Sequence, residues 1–257
     1  MHPTFKTAPC LVVLLALALM SGTPAQGTKS FEPVFKPTLE ITKTVSTIKI
    51  DGEVEDAEWR HAVQATNFVE RFPGENTLPD VQTDAFITYD EDHLYVAFKC
   101  YDDPASIRAT MCQRDQFHGD DAVMLLVDTY GDASWAYEFH VNPYGVQKDM
   151  LWTSVVGEDQ GFDLIWDAAA RVTDFGYQVE IAVPFASMRF PDREQQAWKV
   201  DFWRQHPRES FKQYSWAAND RNEQCFPCQW GTVTGIEGVK SGKGFELLPS
   251  LVANQSG

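Results

Sequence analysis

The stretch Ala85-Phe86-Ile87-Thr88-Tyr89-Asp90-Glu91-Asp92-His93-Leu94-Tyr95-Val96-Ala97-Phe98-Lys99-Cys100-Tyr101 decides the fold class. Leu94, Val96, Phe98 and Cys100 alternate with Tyr95, Ala97, Lys99 and Tyr101. That period of two belongs to a pleated backbone whose successive side chains leave on opposite faces. The polar turn Asp90-Glu91-Asp92-His93 separates this run from Ala85-Phe86-Ile87-Thr88-Tyr89, so the stretch reads as a β-hairpin with one buried face. Further along, Val123 to Val127 is a continuous apolar run ending at Asp128, a candidate central strand. Tyr137, Phe139 and Val141 alternate with Glu138, His140 and Asn142, then reach the turn Asn142-Pro143-Tyr144-Gly145, from which Val146 starts a return strand. Asp174-Phe175-Gly176 turns into the alternating run Tyr177, Val179, Ile181, Val183. Trp198, Val200 and Phe202 alternate with Lys199, Asp201 and Trp203, and Gln229 to Ile236 reads as one more strand. Thr47-Ile48-Lys49-Ile50 reads as a short strand ending at the turn Asp51-Gly52. Helical signal is confined to Glu55 to Ala65 and a turn near Phe185-Ala186-Ser187-Met188. Many short strands with regular turns predict an all-β fold, a jelly-roll-like antiparallel sandwich of two sheets with one or two short helical turns.

Composition narrows the class. Of 257 residues 44% are hydrophobic, too many for a disordered acidic tail. Lys and Arg number 21 against 37 Asp and Glu, a net charge of -16, which argues against a nucleic-acid partner because phosphates need a cationic surface. The N-terminus reads as a secretory signal peptide over residues 1–25. Lys6 precedes the apolar run Leu11 to Met20, and Ser21-Gly22-Thr23-Pro24-Ala25 supplies the small residues of a cleavage site after Ala25. Losing Lys6 leaves a mature charge of -17, 20 minus 37. Residues 26–37 read as an extended lead-in, and one domain over 38–245 accounts for the remaining pattern.

An exported chain meets oxidising conditions, so Cys100, Cys112, Cys225 and Cys228 are disulfide candidates with three possible pairings. Cys225-Phe226-Pro227-Cys228 has redox-motif spacing. A redox site needs a helix start to depress the first thiol, and here strand-like sequence follows, which favours a structural loop.

Ile50-Asp51-Gly52-Glu53-Val54-Glu55-Asp56-Ala57-Glu58-Trp59 resembles the opening of family 9 carbohydrate-binding modules and their relatives. The hairpin Tyr89 to Phe98, the segment Gly119-Asp120-Asp121-Ala122-Val123-Met124-Leu125-Leu126-Val127-Asp128 with Ala136-Tyr137-Glu138-Phe139, and Val179-Glu180-Ile181-Ala182-Val183-Pro184-Phe185 look like the same family, in the same order. Phe139-His140-Val141-Asn142-Pro143-Tyr144-Gly145-Val146-Gln147-Lys148-Asp149, Arg114-Asp115 and Pro184-Phe185-Ala186-Ser187-Met188-Arg189-Phe190 resemble a subgroup found ahead of a large outer-membrane β-barrel region in bacterial surface proteins. Gly244-Phe245-Glu246-Leu247-Leu248-Pro249-Ser250-Leu251 looks like the approach to such a barrel, so residues 246–257 read as the start of a further segment. A barrel needs roughly eight or more strands. The domain is therefore either part of a longer protein or stands alone. The resemblance implies a periplasmic or outer-membrane-surface location.

Characterised family members bind sugar chain ends between two tryptophans, helped by polar side chains. Sugar rings offer an apolar face to an aromatic plane, and their hydroxyls need donors and acceptors at the rim. The resemblance puts one stacking position at His118, with Phe117 beside it, and the second in the loop Gln224 to Cys228, where Phe226 stands. A basic position on the next strand maps to His140, and a polar one on the late strand maps near Trp203. The two-tryptophan clamp is thus absent as such, and Phe117 or His118 with Phe226 and Trp203 forms the candidate substitute platform for a neutral glycan. Trp59, Trp166 and Trp198 read as core, while Trp135, Trp152 and Trp216 fall near loops or on polar faces. Asp120, Asp121 and Asp128 are candidate calcium ligands, since hard cations favour paired carboxylates, or they pair with Arg114 or Arg189. Asp51, Glu53, Glu55 and Asp56 read as helix N-terminal acids. His140 with Met124 or Met150 could ligate haem, as in distant sandwich relatives, but no haem motif singles them out. No Gly-x-Ser-x-Gly or His-Glu-x-x-His occurs, and 37 acids make any carboxylate pairing uninformative, so the expectation is a non-catalytic protein. Three functions remain: a carbohydrate-binding domain; a plug or docking domain of a β-barrel protein without a sugar ligand; and, suggested only by association with glycosidase partner domains, a hydrolase.

Overall fold

The structure is a computed structural model, described here for residues 31–54 and 56–242. The expected signal peptide, residues 26–30 of the lead-in, Glu55 and the segment from 243 onward lie outside the described residues.

Two sheets form. The five-stranded sheet runs in the order β10 (Asp167–Thr173), β11 (Gly176–Pro184), β5 (His93–Tyr101), β4 (Thr83–Tyr89), β2 (Val63–Ala65). The nine-stranded sheet has the path β1 (Thr38–Glu40), β14 (Gly231–Glu237), β12 (Gln195–Pro207), β6 (Ala122–Asp128), β7 (Trp135–Val141), β8 (Gln147–Thr153), β9 (Gly157–Asp159), with β13 (Phe211–Ser215) and β3 (Val69–Phe72) continuing from β12. All pairings are antiparallel except β1 with β14. The decisive hairpin is β4–β5, whose turn is tied by the Asp90 carboxylate accepting from the backbone N–H groups of Asp92 and His93, both at 2.8 Å. Alternation does the sorting: Leu94, Val96, Phe98 and Cys100 enter one core with Val123, Leu125, Val127, Tyr137, Phe139, Val200 and Phe202 from the facing sheet. No helix among the described residues is long and apolar enough to cross a membrane.

Three sequence expectations need correction. The helix expected over Glu55 to Ala65 is one turn, α1 (Asp56–Trp59), and the chain then enters β2. Tertiary pairing overrides local propensity there: Val63 and Ala65 join the edge of β4, and the buried Trp59 indole donates to Glu180 Oε1 at 2.9 Å. Thr47 to Ile50 belongs to no strand, although Ile48 is buried with Trp59 against the outer face of the five-stranded sheet. Pro227–Gln229 is a 3-10 turn, and β14 begins only at Gly231. Trp59, Trp166 and Trp198 are buried as expected. Trp216, read as near a loop or polar face, is also buried; Gly231 makes room for it, since a Cβ there would lie 2.2 Å from its ring. Trp135 and Trp152 are half-buried.

Charge is sealed between the sheets. Arg204 on β12 points inward with its side chain fully buried, and donates to the carbonyls of Gln82 (3.0 Å) and Tyr101 (3.2 Å) and to Thr83 Oγ1 (3.3 Å) on the opposite sheet. Asp102, just beyond β5, receives Arg204 Nη2 at 3.2 Å, His206 Nε2 at 2.9 Å and Arg208 Nη2. Arg208 Nη1 also reaches Asp121 at 2.8 Å, just before β6. Burial alone would raise the Asp102 pKa, but Arg208, Arg204 and His206 overcome it and hold the carboxyl below its ordinary value. Its contribution to stability is therefore present above the unfolded carboxyl pKa and is lost as pH falls through the lower folded value. Asp102→Ala leaves the Arg204 guanidinium buried without its carboxylate. The expected cost is about 3–5 kcal/mol in urea unfolding, and a loss under ~1 kcal/mol would show that the cluster does not hold the sheets.

Candidate functional site

The outer face of the nine-stranded sheet, opposite the shared core, carries the candidate site. Strand register aligns Trp203, Met124, His140 and Lys148 in one row across β12, β6, β7 and β8. The adjacent row is Asp201, Leu126, Glu138 and Met150. A pocket of about 210 Å³ opens over these rows, lined among others by Phe117, His118, Met124, Glu138, His140, Lys148 and Trp203. Phe226 stands beside it, its ring centroid 5.5 Å from that of Trp203. Phe117, His118, His140, Trp203 and Phe226, five residues spread over more than a hundred positions, thus converge on one face.

Their individual roles differ from a simple platform. Phe117 is 5% exposed and packs on Ala122 and Val146, so it is wall rather than stacking surface. Trp203 is 8% exposed; the Arg71 guanidinium covers one face at 3.8 Å from the ring centroid and Phe226 meets it edge-on. Its indole N–H donates to Asp201 Oδ2 at 2.7 Å. Trp203 is therefore a braced floor. The aromatic surfaces still open to solvent are His118 and Phe211 at the pocket rim, and the half-buried Phe226 with Trp152, centroids 5.7 Å apart. Cys225 and Cys228 form a disulfide, which ties the loop that presents Phe226; Cys100 and Cys112 are free thiols.

Polar residues that the sequence did not single out lie at the pocket base. Glu138 is 3% exposed; its Oε2 lies 3.2 Å from His140 Nε2, and its Oε1 is buried with no partner. Lys148 is 9% exposed, lines the same pocket and makes no ion pair or side-chain hydrogen bond with the described residues. Burial and then the nearby Glu138 charge raise the pKa of Glu158 on the neighbouring strand. The alternation Glu138, His140 was legible on β7, but a buried carboxylate with an idle oxygen was not, because only the register of four strands places it.

The acids proposed for calcium are not brought together. Asp120 and Asp121 precede β6 and Asp128 ends it, roughly 20 Å apart along an extended strand. Asp120 accepts from the Thr110 N–H (2.8 Å) and hydroxyl (3.0 Å) and from Asn142 Nδ2 (2.9 Å). Asp128 closes a turn by accepting from the N–H groups of Tyr130 (3.0 Å), Gly131 (2.7 Å) and Ala133 (2.9 Å). The expected pairing with Arg114 or Arg189 is also corrected: Asp121 pairs with Arg208, and Arg114 pairs with Asp149. Asp102, Asp121 and His206 do offer ligand atoms within 4.8 Å of one another, but two guanidinium groups already neutralise those carboxylates.

A sandwich with a lined concavity on the outer face of its longer sheet is the architecture of a ligand-binding module. The family described as carbohydrate family 9 binding domain-like matches residues 50–235, and the chain belongs to that family. Among solved structures, a carbohydrate-binding candidate from Bacteroides uniformis is similar at 14% identity and a TM-score of 0.61, covering 77% of this chain and 98% of that one. A family 9 module from Caldicellulosiruptor kristjanssonii bound to cellotriose is similar at 16% identity and a TM-score of 0.56, covering 84% and 100%. The same module bound to glucose covers 82% and 100% at the same identity and TM-score. No curated protein matches the chain.

Asp201, fully enclosed beneath Trp203, titrates unusually. Burial raises its pKa to about 7 from 3.8, against the lowering effect of the Trp203 indole, the N–H groups of Ala217 and Phe202, and Arg71. Between those two values the folded state holds a proton that the unfolded state has lost, so this group's contribution to stability falls as pH rises from about 4 to about 7 and is flat above. Asp201→Asn is expected to remove that decline from a series of thermal unfolding midpoints; an unchanged slope would assign it to another group.

Proposed function

We propose that this protein is a non-catalytic carbohydrate-binding domain that takes a neutral oligosaccharide in the pocket over Glu138, His140 and Lys148. The observation that carries this reading is the pair of unused polar groups in one pocket, the Glu138 Oε1 acceptor and the Lys148 ammonium. A buried acceptor without a partner costs about 1–3 kcal/mol. The two groups lie beyond ion-pair distance of each other, so something that both donates and accepts completes them, and neighbouring sugar hydroxyls do so. His118, Phe211 and Phe226 supply aromatic edges for the apolar face of a ring. Family membership and the cello-oligosaccharide and glucose bound by a module of the same fold support the ligand class. The signal-peptide pattern supports export, and the subgroup resemblance supports a place at the periplasm or outer-membrane surface, with a barrel region as a candidate partner.

One observation favours the second reading, a plug or docking domain. Arg71 already occupies a face of Trp203, so the aromatic platform is partly closed. Affinity electrophoresis and calorimetry with cellotriose separate the two. The first reading expects saturable binding, weakened ~10-fold or more by Glu138→Gln or Lys148→Met, since hydrogen bonds to charged groups are worth about 1.5–3 kcal/mol. Absence of binding to every neutral oligosaccharide tried, with retained fold by circular dichroism, would overturn it and favour docking.

A further inference from the structure

The outer face of the nine-stranded sheet continues past the pocket over Glu138. Strand register sets one more row there, Ala136, Trp152 and Glu158 across β7, β8 and β9. Two neighbours of Trp152 line the pocket itself. Glu158 is its partner across β8 and β9, and Met150 precedes it by two residues on the same face of β8. Two residues of extended strand span about 7 Å. Trp152 therefore borders the pocket on the side of the sheet edge, and no other strand but β9 lies beyond it on that side.

The ring is braced but not consumed. Trp152 is half-buried and packs against the buried outer-face cluster that holds Leu126 and Ala136. Phe226 meets it at 5.7 Å between centroids and an interplanar angle of 53°. Phe226 in turn meets Trp203 at 5.5 Å and Trp230 at 5.2 Å, so an aromatic line runs from the pocket floor to the sheet edge. The disulfide between Cys225 and Cys228 brackets the middle ring of that line. Trp203 spends its indole N–H on Asp201 and one face on Arg71. The Trp152 indole N–H has no acceptor among the described residues, and no cation covers its ring. Beside it the Glu158 side chain is exposed. A flat apolar plane with a free donor and a neighbouring acceptor matches a sugar ring, which offers C–H groups on its face and hydroxyls at its edge.

We propose that Trp152 forms a second sugar subsite, which takes the ring following the one held over Glu138, His140 and Lys148 and so sets a preference for oligosaccharides over single sugars. The inference rests on the carbohydrate-binding reading above and commits to one occupant, the next ring of the same neutral oligosaccharide. Its apolar face lies on Trp152, and its hydroxyls reach the indole N–H and the Glu158 carboxylate. Continuity with the pocket through Met150 and Glu158 is what lets one chain engage both places.

The full chain is titrated by calorimetry with glucose, cellobiose and cellotriose. Cellobiose and cellotriose are expected to bind ~10-fold tighter than glucose. Trp152→Ala is expected to remove that gain and to leave the glucose affinity within ~2-fold. Trp152→Phe, a milder change that keeps a ring face, retains most of the gain. It also loses the change in tryptophan emission that cellobiose causes and glucose does not. A ring that only braces Phe226 would weaken all three sugars alike when removed. Equal affinity for the three sugars in the unaltered chain overturns the inference. So does a gain that survives Trp152→Ala, an equal loss for glucose in that variant, or a cellobiose emission change that persists in Trp152→Phe. Binding of glucose without any gain for the longer sugars removes this subsite alone. Failure of all three sugars to bind removes the carbohydrate reading and the subsite with it.

Discussion

The inward-pointing Arg204 is the constraint around which the two sheets are organised. A cation between sheets is costly unless its charge is met, and here both Nη groups find acceptors while the buried Nε has none. Asp102 and the carbonyls of Gln82 and Tyr101 meet it from the five-stranded sheet, while Arg204 itself belongs to the nine-stranded one. Those bonds form only at one relative position of the sheets. Apolar packing alone tolerates sliding; a directional cluster does not. Arg208 extends the cluster to Asp121 at the head of β6, so the same charges set where the central strand of the outer site begins.

From that fixed register the outer face follows. β12, β6, β7 and β8 bring Trp203, Met124, His140 and Lys148 into line, and a one-residue slip would exchange this row for core residues. The face is polar at its base and aromatic at its edges. Trp203 is pinned between Arg71, Phe226 and Asp201, which makes it rigid but leaves little of its plane for a ligand. In the proposed reading, ligand recognition falls to the idle groups of Glu138 and Lys148 and to the rim aromatics. Because β7 and β8 alternate, a different cavity occupies their inner face, bordered by Trp135, Tyr137, Leu151 and Thr153.

The surplus of acid divides in the same way. Asp90 and Asp128 close turns by accepting backbone donors, Asp120 ties the Thr110 segment to Asn142, and Asp102, Asp121 and Asp149 answer buried or half-buried arginines. These carboxylates are architectural. The aromatic surplus is also largely core: Trp198, Trp216 and Trp230 fill the interior or the sheet faces, and Trp152 and Trp135 remain at the openings.

The sequence by itself determined the sheet content, the hairpin β4–β5, the strands β6, β7, β11 and β12, and the family resemblance. Period two survives translation into structure because it depends only on the alternation of a single chain. It also brought Phe117, His118, His140, Trp203 and Phe226 forward, through positions matched to the family pattern. Tertiary structure decided what local pattern could not carry. Glu55 to Ala65 reads as a helix, yet pairing with β4 turns Val63 to Ala65 into a strand. Asp120, Asp121 and Asp128 lie close in sequence, yet an extended strand drives Asp128 far from the others. The idle groups of Glu138 and Lys148 carry no sequence signal, since an idle donor or acceptor is defined by partners that fail to arrive from other strands. Charge partners such as Arg208 and Asp102 are separated by a hundred residues, and only the closure of two sheets brings them within reach.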